Sequence, residues 1–353
     1  MPAIRVADRE VECPSDTPVL RSLLRAGVWL PNSCNQGTCG TCKVRVLSGE
    51  VDHADAPLDT LGAEERAAGL ALACQARPCS DLVVEPHGAP GDAGRLTHPL
   101  RDVVGTVTLV EEIARDTRRV LLALDEPLAF DPGQYVELSV PGCGSRRQYS
   151  LANTADEDTV LELHVRRVEG GLATDRWLCR TLAVGEEVEV SGPLGDFVLP
   201  SEEDDDGGPM AMIGGGTGLA PLVGLARTAL ARHPERELRL YHGVRGEADL
   251  YDVDRLRALG DDHPGFTFVP VLSDEQVDGV RHGFPTDAFT EDVPKARGWS
   301  GWLCGPPPMV EAGVAAFKRR RMAPRMIHRE KFTPADAAGT STPAPHVTQE
   351  EVA

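Results

Sequence analysis

The chain has 353 residues, 36 Lys and Arg against 55 Asp and Glu for a net charge of −19, and is 41% hydrophobic and 26% charged. This is the composition of a folded protein of several domains, three being expected from the length, and such acidity argues against a nucleic-acid partner because phosphate would be repelled. The charged start MPAIRVADREVEC lacks the apolar core of a signal peptide and no later apolar run reaches spanning length, so a cytoplasmic protein free of the membrane is expected.

The acidity suits either a basic protein partner or simple solubility, since much of it lies in solvated runs such as Ser201–Asp206. In a reducing compartment the nine cysteines (13, 34, 39, 42, 74, 79, 143, 179, 304) are poor disulfide candidates, so a cluster of them points to metal or redox chemistry. DTPVLRSLLRAG reads as a helix with Pro18 near its first turn and Leu20, Leu23 and Leu24 on one face. PNSCNQGTCGTCKV follows, and its KVRV end alternates as a strand. Cys34, Cys39 and Cys42 have the spacing C-x4-C-x2-C, and LALACQARP places Cys74 downstream, which is the plant-type [2Fe–2S] pattern. Zinc normally takes two close pairs, and here one pair has the C-x2-C spacing; structural zinc or free thiols remain the alternatives. Gly37 and Gly40 allow a tight wrap, with Asn35, Gln36, Thr38 and Thr41 as polar donors. The partner's footprint is expected near the exposed Asn35–Thr38. Cys79 fits no ligand slot and reads as a packed small side chain. The segment resembles a β-grasp ferredoxin, expected over residues 1–90.

EPHGAPGDAGRLTHP, residues 85 to 99, is an expected linker. The strand-like runs VVGTVTLVEEI, RRVLLALD, GQYVELSV, VLELHVRRV and EEVEVSG then suggest an antiparallel barrel over 99–200. Within it lie RRQYSLAN, the double glycine of HVRRVEGGLATDRWL before a helix expected from Ala173, and VSGPLGDF. This succession resembles the ferredoxin–NADP reductase superfamily. The resemblance implies that Arg147 binds the flavin phosphate, Tyr149 stacks on the isoalloxazine and Ser150 lies near N5. It further implies that His164, Val165 and Arg166 border the ribityl and adenine side and that Gly171, Ala173 and Thr174 hold the pyrophosphate. The double-glycine helix start suits a dinucleotide, hence FAD rather than FMN.

After SEEDDDGGP, the run PMAMIGGGTGLAPLVGLARTAL reads as strand, glycine loop and helix, with Leu219, Leu222, Val223, Leu225 and Ala226 toward the core. Its loop Gly216-Thr217-Gly218-x-x-Pro221 departs from the common G-x-G-x-x-G and resembles the pyridine-nucleotide domain of the same superfamily. LRLYHGVR, DVDRLRAL, FTFVPVLS and WLCGPPPMVEAGVAAF continue the alternation of a doubly wound parallel sheet over 208–333. By the resemblance, Cys304, Gly305 and Pro306 of LCGPPPM lie beside the nicotinamide, and Glu330 and Phe332 of IHREKF stand against the flavin, so Ser150, Cys304 and Glu330 are the expected catalytic residues. Arg245, Glu247 and Asp249 are candidate adenosine contacts. The acidic pair favours NADH, although Arg245 could serve a 2′-phosphate. Residues 334–353 read as a disordered tail.

The expected fold class is therefore multidomain: an α+β β-grasp ferredoxin, an antiparallel flavin barrel and a doubly wound α/β nicotinamide domain. That order resembles the reductase components of bacterial multicomponent oxygenases. Phenol hydroxylase reductase is matched through GVWLP, HVRRVEGG and LCGPPPM, and benzoate dioxygenase reductase through LACQ-x-RP-x-SD and EKF. The resemblance implies a monomer passing electrons from NADH through FAD and a [2Fe–2S] cluster to a terminal oxygenase or a separate ferredoxin. A stand-alone reductase of ferric or quinone acceptors and a redox-sensing module are the rival classes.

Overall fold

The computed structural model of the chain describes residues 1–87 and 98–333. The middle of the expected linker and the expected tail lie outside the described residues. Three sheets organise the rest, each with its own core.

The first is five-stranded, in the order Arg9–Glu12, Ala3–Val6, Leu82–Pro86, Lys43–Ser48, Leu70–Leu72, with Ala3–Val6 and Leu82–Pro86 parallel and the other pairs antiparallel. Helix Val19–Arg25 buries Val19, Leu20, Leu23 and Leu24 against it, the face that its leucine spacing dictates. This core does not close on itself: Tyr135 and Leu194 of the second sheet complete it. Cys79, expected to be packed, is exposed. It follows the short edge strand Arg77–Pro78, and its amide bonds Glu50 O at 2.9 Å, which turns the side chain outward.

The second sheet is six-stranded, in the order Arg146–Ser150, Tyr135–Ser139, Glu187–Leu194, Arg101–Ala114, Thr117–Leu124, Val160–Arg166. A bridge between Leu151 and Leu163 joins its two edges and closes a barrel. Register shifts between Val107 and Leu109, and again between Glu112 and Ala114, bend the long strand as closure requires. Val120, Leu122, Val136, Leu138, Leu161 and Leu163 fill the interior. Where a helix was expected from Ala173, the chain makes one π-helical turn, Thr174–Leu178, with Leu178 N bonded to Ala173 O at 2.8 Å and Cys179 N to Thr174 O at 2.9 Å.

The third sheet is wholly parallel, in the order Arg281–His282, Phe266–Leu272, Leu238–Val244, Met210–Gly215, Ser300–Gly305, Ile327–Lys331. Helix Leu219–Arg232 buries the five residues expected to face the core. The chain starts in the middle at Met210–Gly215, winds out one way and returns on the other side at Ser300–Gly305. The switch point between those two strand ends is where a doubly wound sheet opens its crevice.

A buried charge cluster fastens the barrel to this domain. Arg119 bonds Glu162 at 2.9 Å and also Asp252, Arg255 bonds Glu162 at 2.9 Å, and His164 Nε2 lies 3.1 Å from Glu162. Acceptor atoms of Glu162, His164 and Asp252 lie within 4.8 Å of one another. Two guanidinium groups already neutralise the carboxylates there, so the cluster reads as an interdomain joint rather than a metal site. Arg115 adds a bidentate pair to Asp249, at 2.9 and 2.6 Å.

Candidate functional site

The cysteine loop is wound by its own backbone. Gly37 has φ +81°, and a Cβ there would press on Gln75 and Pro57 at 3.1 Å, so only glycine fits the turn without strain. Amides of Gln36 and Cys39 point at Cys34 Sγ from 3.5 and 3.3 Å, and Thr41 N points at Cys39 Sγ from 3.5 Å. The four thiols fall into two neighbouring pairs, Cys34 with Cys39 and Cys42 with Cys74. Hydrogen bonds from the Cys39 thiol, and then from Thr38 and the loop amides, outweigh burial and bring Cys34 down to about 5. The lowered Cys34 thiol is drawn toward the thiolate form, the form that ligates metal.

The pairing tests the metal. Among the described residues no three of these sulfurs lie within 4.8 Å of one another. Four thiolates on one zinc, at about 2.3 Å each, would stand about 3.8 Å apart in every pair. Two separate pairs suit two irons, one to each pair. Cys39 is the most exposed cysteine of the loop. Within the expected partner footprint at Asn35–Thr38, Gly37 is buried and Gln36 is turned inward against Gln148, with its Nε2 3.3 Å from Gln148 Oε1, while Cys39 beside it is exposed.

On the barrel, Arg147 is half-buried, donates to Arg146 O at 2.8 Å, and has no carboxylate partner among the described residues. An unpaired guanidinium of this kind suits a phosphate. Tyr149 packs at the edge of the barrel core beside Cys179. Ser150 meets residues far along the chain. Cys304 and Glu330 are register partners on adjacent strands, Cys304 Sγ lies 3.8 Å from Glu330 Oε2, and the Ser150 side chain lies beside the same carboxyl. The three expected catalytic residues thus meet at one point. Burial, with the nearby Asp196 charge, pushes Glu330 up to about 8. At neutral pH it is a neutral acid and a proton donor. The exposed Asp196 borders a crevice of about 210 Å³ lined also by Ser33, Thr41, Phe197, His328 and Arg329.

As pH rises through about 8 the Glu330 donor is lost. Flavin reduction by NADH is expected to slow over that interval, and Glu330→Gln to show no such limb. Stopped-flow rates from pH 6 to 10 check this.

Several expected contacts are placed otherwise. Gly170 N donates to Asp175 Oδ2 at 3.0 Å and Gly171 N to Val168 O at 2.9 Å, while Thr174 Oγ1 accepts from Val168 N at 3.1 Å. The two glycine amides and the Thr174 hydroxyl thus close the turn itself, whereas the amides of Ala173 and Thr174 have no hydrogen-bond partner among the described residues. A five-residue turn carries less dipole than a full helix. Ala173 and Val165 are buried in the barrel core. His164 is shut inside the interdomain joint, its side chain 0% exposed, and Asp249 is 3% exposed and committed to Arg115. Neither side chain faces a ligand.

Arg166, by contrast, reaches across, and a Cβ on Gly216 would stand 3.4 Å from its Nη1. The glycine loop sits on the following motif: a Cβ on Gly218 would lie 2.2 Å from Cys304 O, and one on Gly215 2.9 Å from Pro306. Gly305 approaches Gly215 in the same way, Phe332 N bonds Gly305 O at 2.8 Å, Pro221 is buried in the helix start, and Thr217 stays half-open. Arg245 is exposed without an acidic partner among the described residues, which leaves it for a nucleotide. Sequence reasoning missed His242 and Tyr251. Burial holds His242 down to about 4, so it is neutral, and its Nε2 bonds Gly216 O at 3.0 Å, with Tyr251 Oη at 3.4 Å from the same carbonyl. No local pattern marks them, since each is an ordinary aromatic in a strand or turn.

Comparisons with known proteins agree with this division. Residues 4–79 match the 2Fe-2S iron-sulfur cluster binding domain, 105–199 the oxidoreductase FAD-binding domain and 212–314 the oxidoreductase NAD-binding domain. The chain is 71% identical over 333 residues to the reductase subunit of an aromatic O-demethylase from Amycolatopsis, covering 94% of this chain and 99% of that one. It is 38% identical to the reductase component of a phenol 2-monooxygenase from Pseudomonas, covering 94% of each. The crystal structure of an Amycolatopsis cytochrome P450 reductase superposes with a TM-score of 0.93 at 71% identity, over 95% of this chain and 100% of that one. The ferredoxin reductase of a carbazole 1,9a-dioxygenase superposes at 0.79 and 27% identity, over 94% and 98%.

Proposed function

The chain belongs to the reductase components of multicomponent oxygenases, NADH-dependent oxidoreductases with 2Fe-2S, FAD and NAD domains in one polypeptide, and we propose that its partner is a cytochrome P450 that demethylates aromatic ethers. The family likeness read from the sequence left the oxygenase class open. Identity of 71% over 94% of the chain to an aromatic O-demethylase reductase, and of 71% over 95% to a cytochrome P450 reductase of known structure, carries the narrower reading.

Nicotinamide supplies two electrons as hydride, a [2Fe–2S] cluster carries one, and flavin does both, which makes it the converter. The chain's own residues position these groups. Gly216, Thr217 and Gly218, held through the Gly216 carbonyl by His242 and Tyr251, form the cradle at the switch point. Cys304, Ser150 and the neutral Glu330 stand where the nicotinamide and flavin rings would meet, with Glu330 holding its proton beside Ser150. Arg147 takes the flavin phosphate and Tyr149 its ring. Cys34, Cys39, Cys42 and Cys74 hold the cluster, and the exposed Cys39 side faces the partner.

No helix among the described residues is long and apolar enough to cross a membrane. A cytoplasmic monomer suffices for this reading, because one chain supplies every proposed contact.

The purified protein mixed with an aromatic O-demethylating P450, NADH and a methoxy-aromatic substrate should release formaldehyde in proportion to NADH oxidised. Turnover with a diiron or Rieske oxygenase and none with the P450 would overturn the narrower reading while leaving the family intact.

A further inference from the structure

One strand separates the proposed flavin contacts from the cluster loop, and its middle residue belongs to neither. In Arg146–Ser150 successive side chains alternate faces. Arg147 and Tyr149 pair with Leu138 and Val136, whereas Gln148 and Ser150 pair with Glu137 and Tyr135 on the other face. That second face is covered by the cysteine loop. Gln148 Nε2 donates to Cys34 O at 2.8 Å, and Gln148 Oε1 accepts from Gln36 Nε2 at 3.3 Å. A carbonyl only accepts, so the amide orientation is fixed by Cys34, and Gln36 then finds the matching acceptor. Tyr135, buried and 2% exposed, donates to Ser33 O at 2.6 Å, and Gly195 N donates to Asn32 Oδ1 at 2.9 Å. Residues 32, 33, 34 and 36 are thereby each tied to the barrel, while Cys39 on the far side stays exposed.

We infer that Gln148, with Tyr135 beside it, is a positioning residue for flavin-to-cluster electron transfer, pinning the inner cysteine of the cluster loop to the strand that carries the flavin contacts. The inference rests on the reading above. For each NADH oxidised to NAD⁺, two electrons cross this seam singly to two one-electron acceptors, one proton goes to solvent, and no bond forms or breaks at Gln148. With four anchors in place the crossing needs no domain movement. Its rate depends on how tightly the loop is held.

The test uses the intact holoprotein with Gln148→Leu, which keeps the bulk and removes its hydrogen bonds with Cys34, Gln36 and Tyr135, and Tyr135→Phe, which removes the Ser33 contact and the one from Gln148. Stopped-flow absorbance separates NADH-driven flavin reduction from the later bleaching of the cluster. The expected result is cluster reduction slowed about tenfold, as loosened positioning costs. Flavin reduction, ferricyanide turnover and iron content should be unchanged, and hydrogen exchange should rise at the amides of residues 33–37. The inference is overturned if both variants bleach the cluster at the unaltered rate, or if iron content or flavin reduction falls in step with it, since Gln148 would then be only structural. Failure of the underlying reading looks different: NADH would reduce the flavin but never the cluster in the unaltered protein.

Discussion

Cys42→Ala is expected to lower NADH-dependent cytochrome c reduction more than about 100-fold, beyond the usual cost of disturbing a ligand's outer partners, while NADH–ferricyanide turnover survives. Cys42 is 3% exposed and pairs with Cys74 inside the first domain's core, so its loss removes a proposed ligand and loosens that core together. The barrel and the nicotinamide domain have their own cores and should keep reducing an acceptor that takes electrons directly from flavin. Parallel assays with the two acceptors, with iron content as control, make the check. Loss of both activities would place the cluster upstream of the flavin or make its domain a condition of folding for the rest.

Gly218→Ala is expected to lower both activities together. The added Cβ would lie 2.2 Å from Cys304 O and 2.6 Å from Cys304 C, both backbone atoms that cannot swing away. The glycine loop must then retreat from the strand end by most of an ångström, and misplacement on that scale costs about 100-fold in rate. Flavin reduction by NADH should collapse, while dithionite still reduces the cluster. Normal flavin reduction in this variant would show that the nicotinamide does not use this cradle.

Set against each other, the two variants define a direction. One blocks the exit and spares the entrance, and the other blocks the entrance.

What was legible in the sequence was local. The C-x4-C-x2-C spacing and the G-x-G-x-x-P loop encode their chemistry in a few consecutive residues, because a tight turn and its ligands must be neighbours. Leucine and valine periodicity likewise placed the helix Val19–Arg25 and the barrel strands. The structure departs from these expectations mainly where a residue's partner lies far along the chain or where a short motif satisfies itself. Asp249 looked available until Arg115, 134 residues away, took its carboxylate. The Gly170–Gly171 pair looked like free donors, but Asp175 and Val168 use them to close a single turn. His164 vanished into an interdomain joint built from Arg119, Arg255 and Asp252. Gln148 was passed over inside a recognised motif because its significance is a contact with Cys34, 114 residues upstream. No periodicity announces a seam between domains.

An anaerobic titration with NADH, followed by absorbance and by electron paramagnetic resonance, tests the central claim that one chain carries electrons from nicotinamide through flavin to a [2Fe–2S] cluster. A two-electron flavin and a one-electron cluster should together consume about 1.5 equivalents of NADH, with the reduced-cluster signal growing in as the flavin absorbance falls. Saturation at about one equivalent with no cluster signal, or zinc in place of iron at the four cysteines, would contradict it.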